Sequence, residues 1–267
     1  MIIVNFYMID GEELMKKFIG FTLAEVLITL GVIGVVSAIT LPTLIHSYQE
    51  KVIVHSLTEV YSILNQAYKM SIIDNGPISA WNLSSNEDEA RAQILEKLTP
   101  YMKSYLICDN KNIKCKDKQM PIDMNGKDTN VSYTYNMILG NTTKINIDNT
   151  GSQTNAIAKI DCDDGCYVGS FGPTMLCAHQ IMVNVTGKDN KPMWGRDLFL
   201  FAILDRGILP YGVVGWAKTH KCNPSGSSSA GWWNGTTCAG YVLSHKNLDY
   251  LKCTRGFASY CTGNYNP

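Results

Sequence analysis

Charge is scarce in this sequence, and neither sign outweighs the other. Lys plus Arg and Asp plus Glu each number 23 in 267 residues, and charged residues make up 17% of the chain. The missing basic excess argues against a nucleic-acid-binding surface, whose electrostatic footprint is positive. Hydrophobic residues reach 45%, which excludes a disordered polyelectrolyte. Catalytic patterns are missing as well. There is no Gly-rich phosphate loop and no His-x-x-x-His pair, and His179, His220 and His245 stand apart from any nucleophile or base arrangement. The sequence therefore predicts no enzyme and no required cofactor. Its length fits one or two domains.

Cysteine is absent from the first 107 residues, yet nine cysteines lie between Cys108 and Cys261. That number is high for a reduced cytosolic protein, and it places the C-terminal part in an oxidising compartment. Local spacing offers Cys108–Cys115 and Cys253–Cys261 as disulfides. Cys222–Cys238 would staple the low-complexity loop Asn223–Gly235, which carries Trp232 and Trp233. Cys162, Cys166 and Cys177 leave one thiol over, because nine is odd.

Between Phe21 and Ile45 charge disappears almost entirely: of 25 residues only Glu25 is ionised. Roughly 20 apolar residues span a bilayer core. Lys16 and Lys17 stand just before the run and favour a cytoplasmic N-terminus, which puts the cysteines outside. A secretory signal would have a shorter apolar run, although Ser37–Thr40 mimics a cut site. A plain membrane anchor explains the length and the lysines, but it leaves Glu25 without a purpose. Carboxylates near the centre of a membrane helix cost about 2.5–3.5 kcal/mol on insertion scales, and less near its end.

"KKFIGFTLAEVLITLGVIGVV", beginning at Lys16, resembles the signature of type IV prepilins and type II secretion pseudopilins. The resemblance is strong over residues 16 to 45. It implies a basic leader cut after Gly20 by a membrane prepilin peptidase, which then methylates the new N-terminus at Phe21. Glu25 matches the carboxylate of the family pattern, and Pro42 falls where the family often has a helix-kinking proline. The partners implied are the peptidase, other pilin or pseudopilin subunits, an inner-membrane assembly platform and, before assembly, membrane lipid. No nucleic acid is implied.

After such a cut, Phe21 would carry a secondary ammonium. Glu25 lies one helical turn away, within reach of that group or of its counterpart on a neighbouring subunit. Either pairing lowers the cost of burying both charges. Met15, directly before Lys16, is favoured over Met1 as the start, because the upstream stretch is acidic where leaders of this kind are basic.

Beyond the apolar run, Val54, Leu57, Val60, Tyr61, Leu64, Ala67, Tyr68 and Ile72 recur mostly at steps of three or four. This spacing predicts an amphipathic continuation of one helix from Phe21 to Asp74, bent near Pro42. A second helix is expected over Glu87–Lys103, with Ser85 and Asp88 as a capping box and Pro100 kinking or ending it. "VSYTYNMI", "TKINI", "IMVNV", "DLFLFAIL" and "GYVL" read as short strands. The expected fold is α+β and pilin-like, a long helix packed on a mainly antiparallel sheet. Its boundaries are a leader over 1–20, a transmembrane or filament-core helix over 21–45, the amphipathic continuation over 46–76 and an extracytoplasmic head over 77–267.

"VNVTGKDNKPMWGRDLFLF" resembles a segment of larger pilin-like proteins, with Gly187, Gly195, Asp197 and Phe199 on the pattern and Asn184, Thr186 and Lys191-Pro192 departing from it. "TTCAGYVLSHKNLDYLKC" resembles their closing segment. Some pseudopilins hold calcium in such a region. Asp161, Asp163 and Asp164, or Asp189 and Asp197, would supply the oxygen ligands, although solvated turn carboxylates explain them as well and neither spacing is that of an EF-hand. Cys162, Cys166, Cys177 and His179 lack the spacing of a structural zinc site. The expected role is a non-enzymatic subunit, a minor component by its size, of a pilus or secretion pseudopilus. The alternative is a membrane-anchored surface binding protein that never polymerises.

Overall fold

The computed structural model describes residues 22–84, 86–103, 105–108, 120–129, 134–140, 143–148, 167–168, 175–176, 180–187, 191–213, 222 and 235–255. The chain divides into two compact units, residues 1–48 and 49–267.

In the first unit the described chain is the beginning of α1 (Leu23–Asn75), a helix that runs unbroken through Pro42. Its threonine hydroxyls donate back to carbonyls of the preceding turn: Thr29 Oγ1 to that of Val26 at 3.0 Å, and Thr40 Oγ1 to that of Val36 at 2.9 Å. Every residue from 22 to 49 is exposed. This stretch is long and apolar enough to cross a membrane.

In the second unit the rest of α1 is amphipathic, as its spacing predicts. Val54, Leu57, Val60, Leu64, Ala67, Tyr68 and Ser71 are buried along one stripe. The six-stranded sheet beside it contains β1 (Tyr105–Ile107), β2 (Met137–Leu139), β3 (Lys144–Asp148), β6 (Gln180–Asn184), β7 (Leu198–Leu204) and β8 (Gly207–Pro210). Its order is β1-β2-β3-β6-β7-β8, and every pairing is antiparallel. β4 (Tyr167–Val168) and β5 (Met175–Leu176) form a separate two-stranded sheet.

The strand alternation of β7 sorts the core. Phe199, Phe201 and Ile203 join the cluster made with the α1 stripe, while Leu198, Leu200, Ala202 and Leu204 join a second cluster with Tyr135, Trp194 and Tyr211. Burial on both faces explains why this strand reads as one continuous apolar run. Tyr61 stacks on Phe201 at 5.6 Å, and Asn65 Oδ1 accepts from the Ile208 N–H at 3.2 Å, so α1 also closes the β8 edge.

Two expectations need correction. The second helix, α2 (Glu87–Leu98), stops before Lys103, in a 3₁₀ turn over Thr99–Tyr101 that contains Pro100, whose nitrogen carries no hydrogen to extend the ladder. Its cap is Asn86, whose Oδ1 accepts from the N–H groups of Asp88 and Glu89 at 3.0 and 3.2 Å; Ser85 lies outside the described residues. The second correction is "GYVL", which is not a strand but the centre of a helix, α3 (Cys238–His245). A four-residue apolar run is too short to show a period. The tight contact of Gly240 N–H with the Tyr211 carbonyl at 2.8 Å and the left-handed cap at Lys246 decide for helix. The sequence pattern also gives no sign of β1, β4, β5 or β8, and of the described residues of "VSYTYNMI" only Met137 and Ile138 lie in a strand, β2.

Candidate functional site

The first turn of α1 is built from two side chains. The Thr22 carbonyl accepts from the Val26 N–H at 3.2 Å, the opening bond of the helix. Thr22 Oγ1 accepts from the Glu25 N–H at 3.2 Å, and Glu25 Oε2 accepts from the Thr22 N–H at 2.8 Å and from its hydroxyl at 2.9 Å. This is a reciprocal capping box, in which each side chain satisfies a backbone donor the helix would otherwise leave bare. The carboxylate also sits at the positive end of the helix dipole. Glu25 is the only Asp, Glu, Lys or Arg among residues 22–49. Pro42 stands further along the same exposed stretch. Lys16, Lys17, Gly20 and Phe21 lie outside the described residues. Thr22, the partner of Glu25, was missed, although its threonine-x-x-glutamate spacing was readable.

The second candidate region, Gly187 to Phe199, is a packed turn. Gly195 has φ +75°, and a Cβ there would sit 2.3 Å from Met124 Cε and 3.2 Å from the Gly235 backbone. Gly235 is bound to the same place, since its own Cβ would meet the Trp194 carbonyl oxygen at 2.6 Å. Tyr250, fully buried, donates its hydroxyl to the Gly195 carbonyl. Asp197 is also buried; its carboxylate accepts from the Met193 N–H at 3.1 Å and pairs with Arg196 at 2.7 Å. Phe199 is core. The motif residues Gly195, Asp197 and Phe199 thus share one structural task.

A segment the reading passed over, Asp123–Gly126 ("DMNG"), docks on this turn. Ile122 N–H donates to the Pro192 carbonyl at 3.1 Å, and Trp194 N–H to that of Ile122 at 3.0 Å. Asp123 Oδ1 accepts from the Asn125 and Lys127 N–H groups at 2.8 and 2.9 Å. Asn184 Oδ1 repeats the arrangement with the Thr186 and Gly187 N–H groups at 3.2 and 3.1 Å. Asp123, Asn184 and Asp197 therefore all serve backbone turns. Among the described residues no group of side chains is arranged to hold a metal. The calcium candidates Asp161, Asp163, Asp164 and Asp189 lie outside them.

Cys222 and Cys238 form a disulfide across the 16-residue separation. Cys108 is also disulfide-bonded. The pairings that would involve Cys115, Cys162, Cys166, Cys177, Cys253 and Cys261, like His179 and His220, fall outside the described side chains. His245 stacks on Tyr241 at 4.2 Å and ends α3. A recess of about 250 Å³ between the ends of α1 and α2 is lined by Asp74, Asn75, Glu96, Lys97, Pro100 and Tyr101. Its groups serve one another: Lys97 Nζ donates to Asn75 Oδ1 at 3.1 Å, and Tyr101 donates to Asp74, which pushes the Tyr101 hydroxyl above its ordinary pKa.

The model of a family of unknown function (DUF6613) matches residues 43–262, a span that begins after most of the apolar run. No curated protein and no solved structure matches the chain.

Proposed function

The chain belongs to this family of unknown function, and from its own residues we propose that it is a pilin-like structural subunit of a type IV pilus or type II secretion pseudopilus. Lys16 and Lys17 hold the leader on the cytoplasmic side. Prepilin peptidase cuts after Gly20 and methylates Phe21. The apolar part of α1 keeps the subunit in the inner membrane as a single span, with residues 49–267 extracytoplasmic, and then packs among other subunits at the assembly platform.

The observation that carries this reading is an apolar helix exposed on every side from residue 22 to 49, with one carboxylate in its first turn. A surface helix of a soluble protein hides an apolar stripe; this stretch hides none, so lipid or other helices must cover all of it. In lipid Glu25 serves as the cap of its own helix. A filament core adds a second use, because the Phe21 ammonium needs an anionic partner there. The disulfide Cys222–Cys238 fits an oxidising envelope.

Mass spectrometry of the chain from its own host tests the proposal, with a terminus at N-methyl-Phe21 as the expected result. Glu25→Ala should then insert in the membrane normally and drop out of the sheared-fibre fraction. An intact terminus at Met1 or Met15 would favour a membrane-anchored surface binding protein instead.

A further inference from the structure

The two edges of the six-stranded sheet are treated differently. Bare edges invite pairing with other chains, and proteins blunt them with proline, charge or a covering element. At β8 both outward positions are blocked: the Ile208 N–H is held by Asn65 Oδ1 at 3.2 Å, and Pro210, two residues on, has no N–H to offer. β1 is the other edge. It holds no charge and no proline, and Tyr105, Leu106 and Ile107 are 40%, 39% and 43% exposed. Among the described residues it pairs with β2 alone.

The parity of the ladder tells what this edge presents. Cys108 N–H donates to the Asn136 carbonyl at 2.8 Å, continuing the β1–β2 register by one residue. Bonded and non-bonded pairs alternate along an antiparallel ladder. Leu106 therefore turns its N–H and C=O toward Ile138, and Tyr105 and Ile107 turn theirs outward. A second β1 laid antiparallel with Leu106 opposite Leu106 sets Tyr105 of each copy against Ile107 of the other. Every outward N–H and C=O of both strands then has a partner. The flanking charges suit the same register. Lys103 is exposed and stands three residues before Leu106; Asp109, outside the described residues and used here by sequence position alone, stands three after. Position 103 of one copy thus matches position 109 of the other, with unlike charges at both ends.

We propose that β1 is a docking edge for β1 of a second copy of this chain, in a two-fold antiparallel pairing centred on Leu106. Because β8 is blocked, the pairing closes at two copies and builds no fibre. A stable interface buries about 1,200–2,000 Å², far more than three edge residues supply, so copies diluted in detergent or excess lipid separate. Copies held by α1 in one membrane meet at the effective concentration that tethering gives, and there the edges pair. This rests on the membrane part of the reading above, not on the cut or the fibre.

The test uses the full chain in membranes of its own host, with a benzophenone side chain in place of Tyr105 or, as a control, of Val213 beyond β8. Irradiation should give a covalent dimer from position 105, mapped by mass spectrometry to the peptide that holds Ile107, and none from position 213. Ile107→Pro removes one outward N–H and spares the bonds to β2. It should lower the dimer several-fold and leave the melting temperature of residues 49–267 in detergent unchanged. Leu106→Lys and Leu106→Glu each set like charges opposite each other across the two-fold axis and should lose the dimer; co-expressed, they should regain it. That regain needs this register, so it decides the matter where Ile107→Pro fails to fold. Native dimer yield from folded Ile107→Pro, no regain on co-expression, equal yield from position 213, or crosslinks from position 105 that reach only another protein would each overturn the proposal. None of these readouts involves the Phe21 terminus or sheared fibres, so failure of the filament reading and failure of the edge pairing are told apart.

Discussion

At the residue scale, backbone geometry and buried hydroxyls decide more than charge. Gly195 is held to glycine because its positive φ and its contact with Gly235 exclude a side chain, and Asp197 closes the turn around Met193. Neither residue has to touch a ligand to be required. The buried tyrosines give a measurable consequence. Burial pushes the Tyr68 hydroxyl up to about 12, and burial with Tyr241 and Glu50 nearby pushes Tyr250 well above its ordinary value. The folded chain therefore holds these protons more tightly than the unfolded chain does. Their contribution is complete below about pH 10, where both states are protonated. It is lost as pH rises from there through 12, because only the unfolded chain gains by ionising. Thermal melts of the chain in detergent should be flat in this respect up to about pH 9.5 and then fall steeply. Tyr68→Phe should remove on the order of 2 kcal/mol of that slope. A Tyr68→Phe melt curve parallel to the native one across pH 10–12 would refute the assignment.

At the scale of elements, legibility followed the length and period of the pattern. α1 and β7 are long enough to show their periods, and both lie where the sequence puts them. α2 was found with its cap one residue late and its end five residues early, since local turn chemistry at Asn86 and Pro100 outweighs periodicity there. α3 was misread because four apolar residues carry no period. β8 was missed because only Asp205 and Arg206 separate it from β7. Of the candidate site, the chemistry of Glu25 was legible from its isolation among apolar residues; its partner Thr22 gives no hydropathy signal and shows only in the threonine-x-x-glutamate spacing of a capping box.

The two parts of α1 should also respond differently to the same substitution. Leu57→Ala removes a fully buried side chain facing the sheet and should destabilise residues 49–267 by about 2–5 kcal/mol. Leu30→Ala, 60% exposed, should leave the melting temperature of that unit unchanged in detergent. Equal shifts from the two variants would show that the stripe from Val54 to Ser71 is not the packing face.

At the scale of the whole molecule, the chain joins two units with different requirements of their surroundings. Residues 49–267 bury their own stripe, sheet and α3, tied by Cys222–Cys238. Residues 22–48 bury nothing and expose apolar side chains all round. The first set of residues meets the general condition for an independently stable domain, a core of its own; the second cannot be stable bare in water. A chain starting at Gln49 should therefore be soluble without detergent and monomeric by light scattering. It should melt in one cooperative transition, because the α1 stripe that completes its core begins at Val54, after the cut. The same chain with residues 21–48 restored should need detergent or lipid to stay monomeric. Reduction of the shorter chain should lower its stability by at least about 3 kcal/mol, the entropy that closing the Cys222–Cys238 loop alone removes from the unfolded state. Precipitation of the shorter chain, or a broad transition that reduction does not move, would mean that the head depends on the apolar helix for its fold. Solubility of the longer chain in plain buffer would mean that the apolar helix finds cover within its own molecule, and the need for lipid or neighbouring subunits would vanish with it.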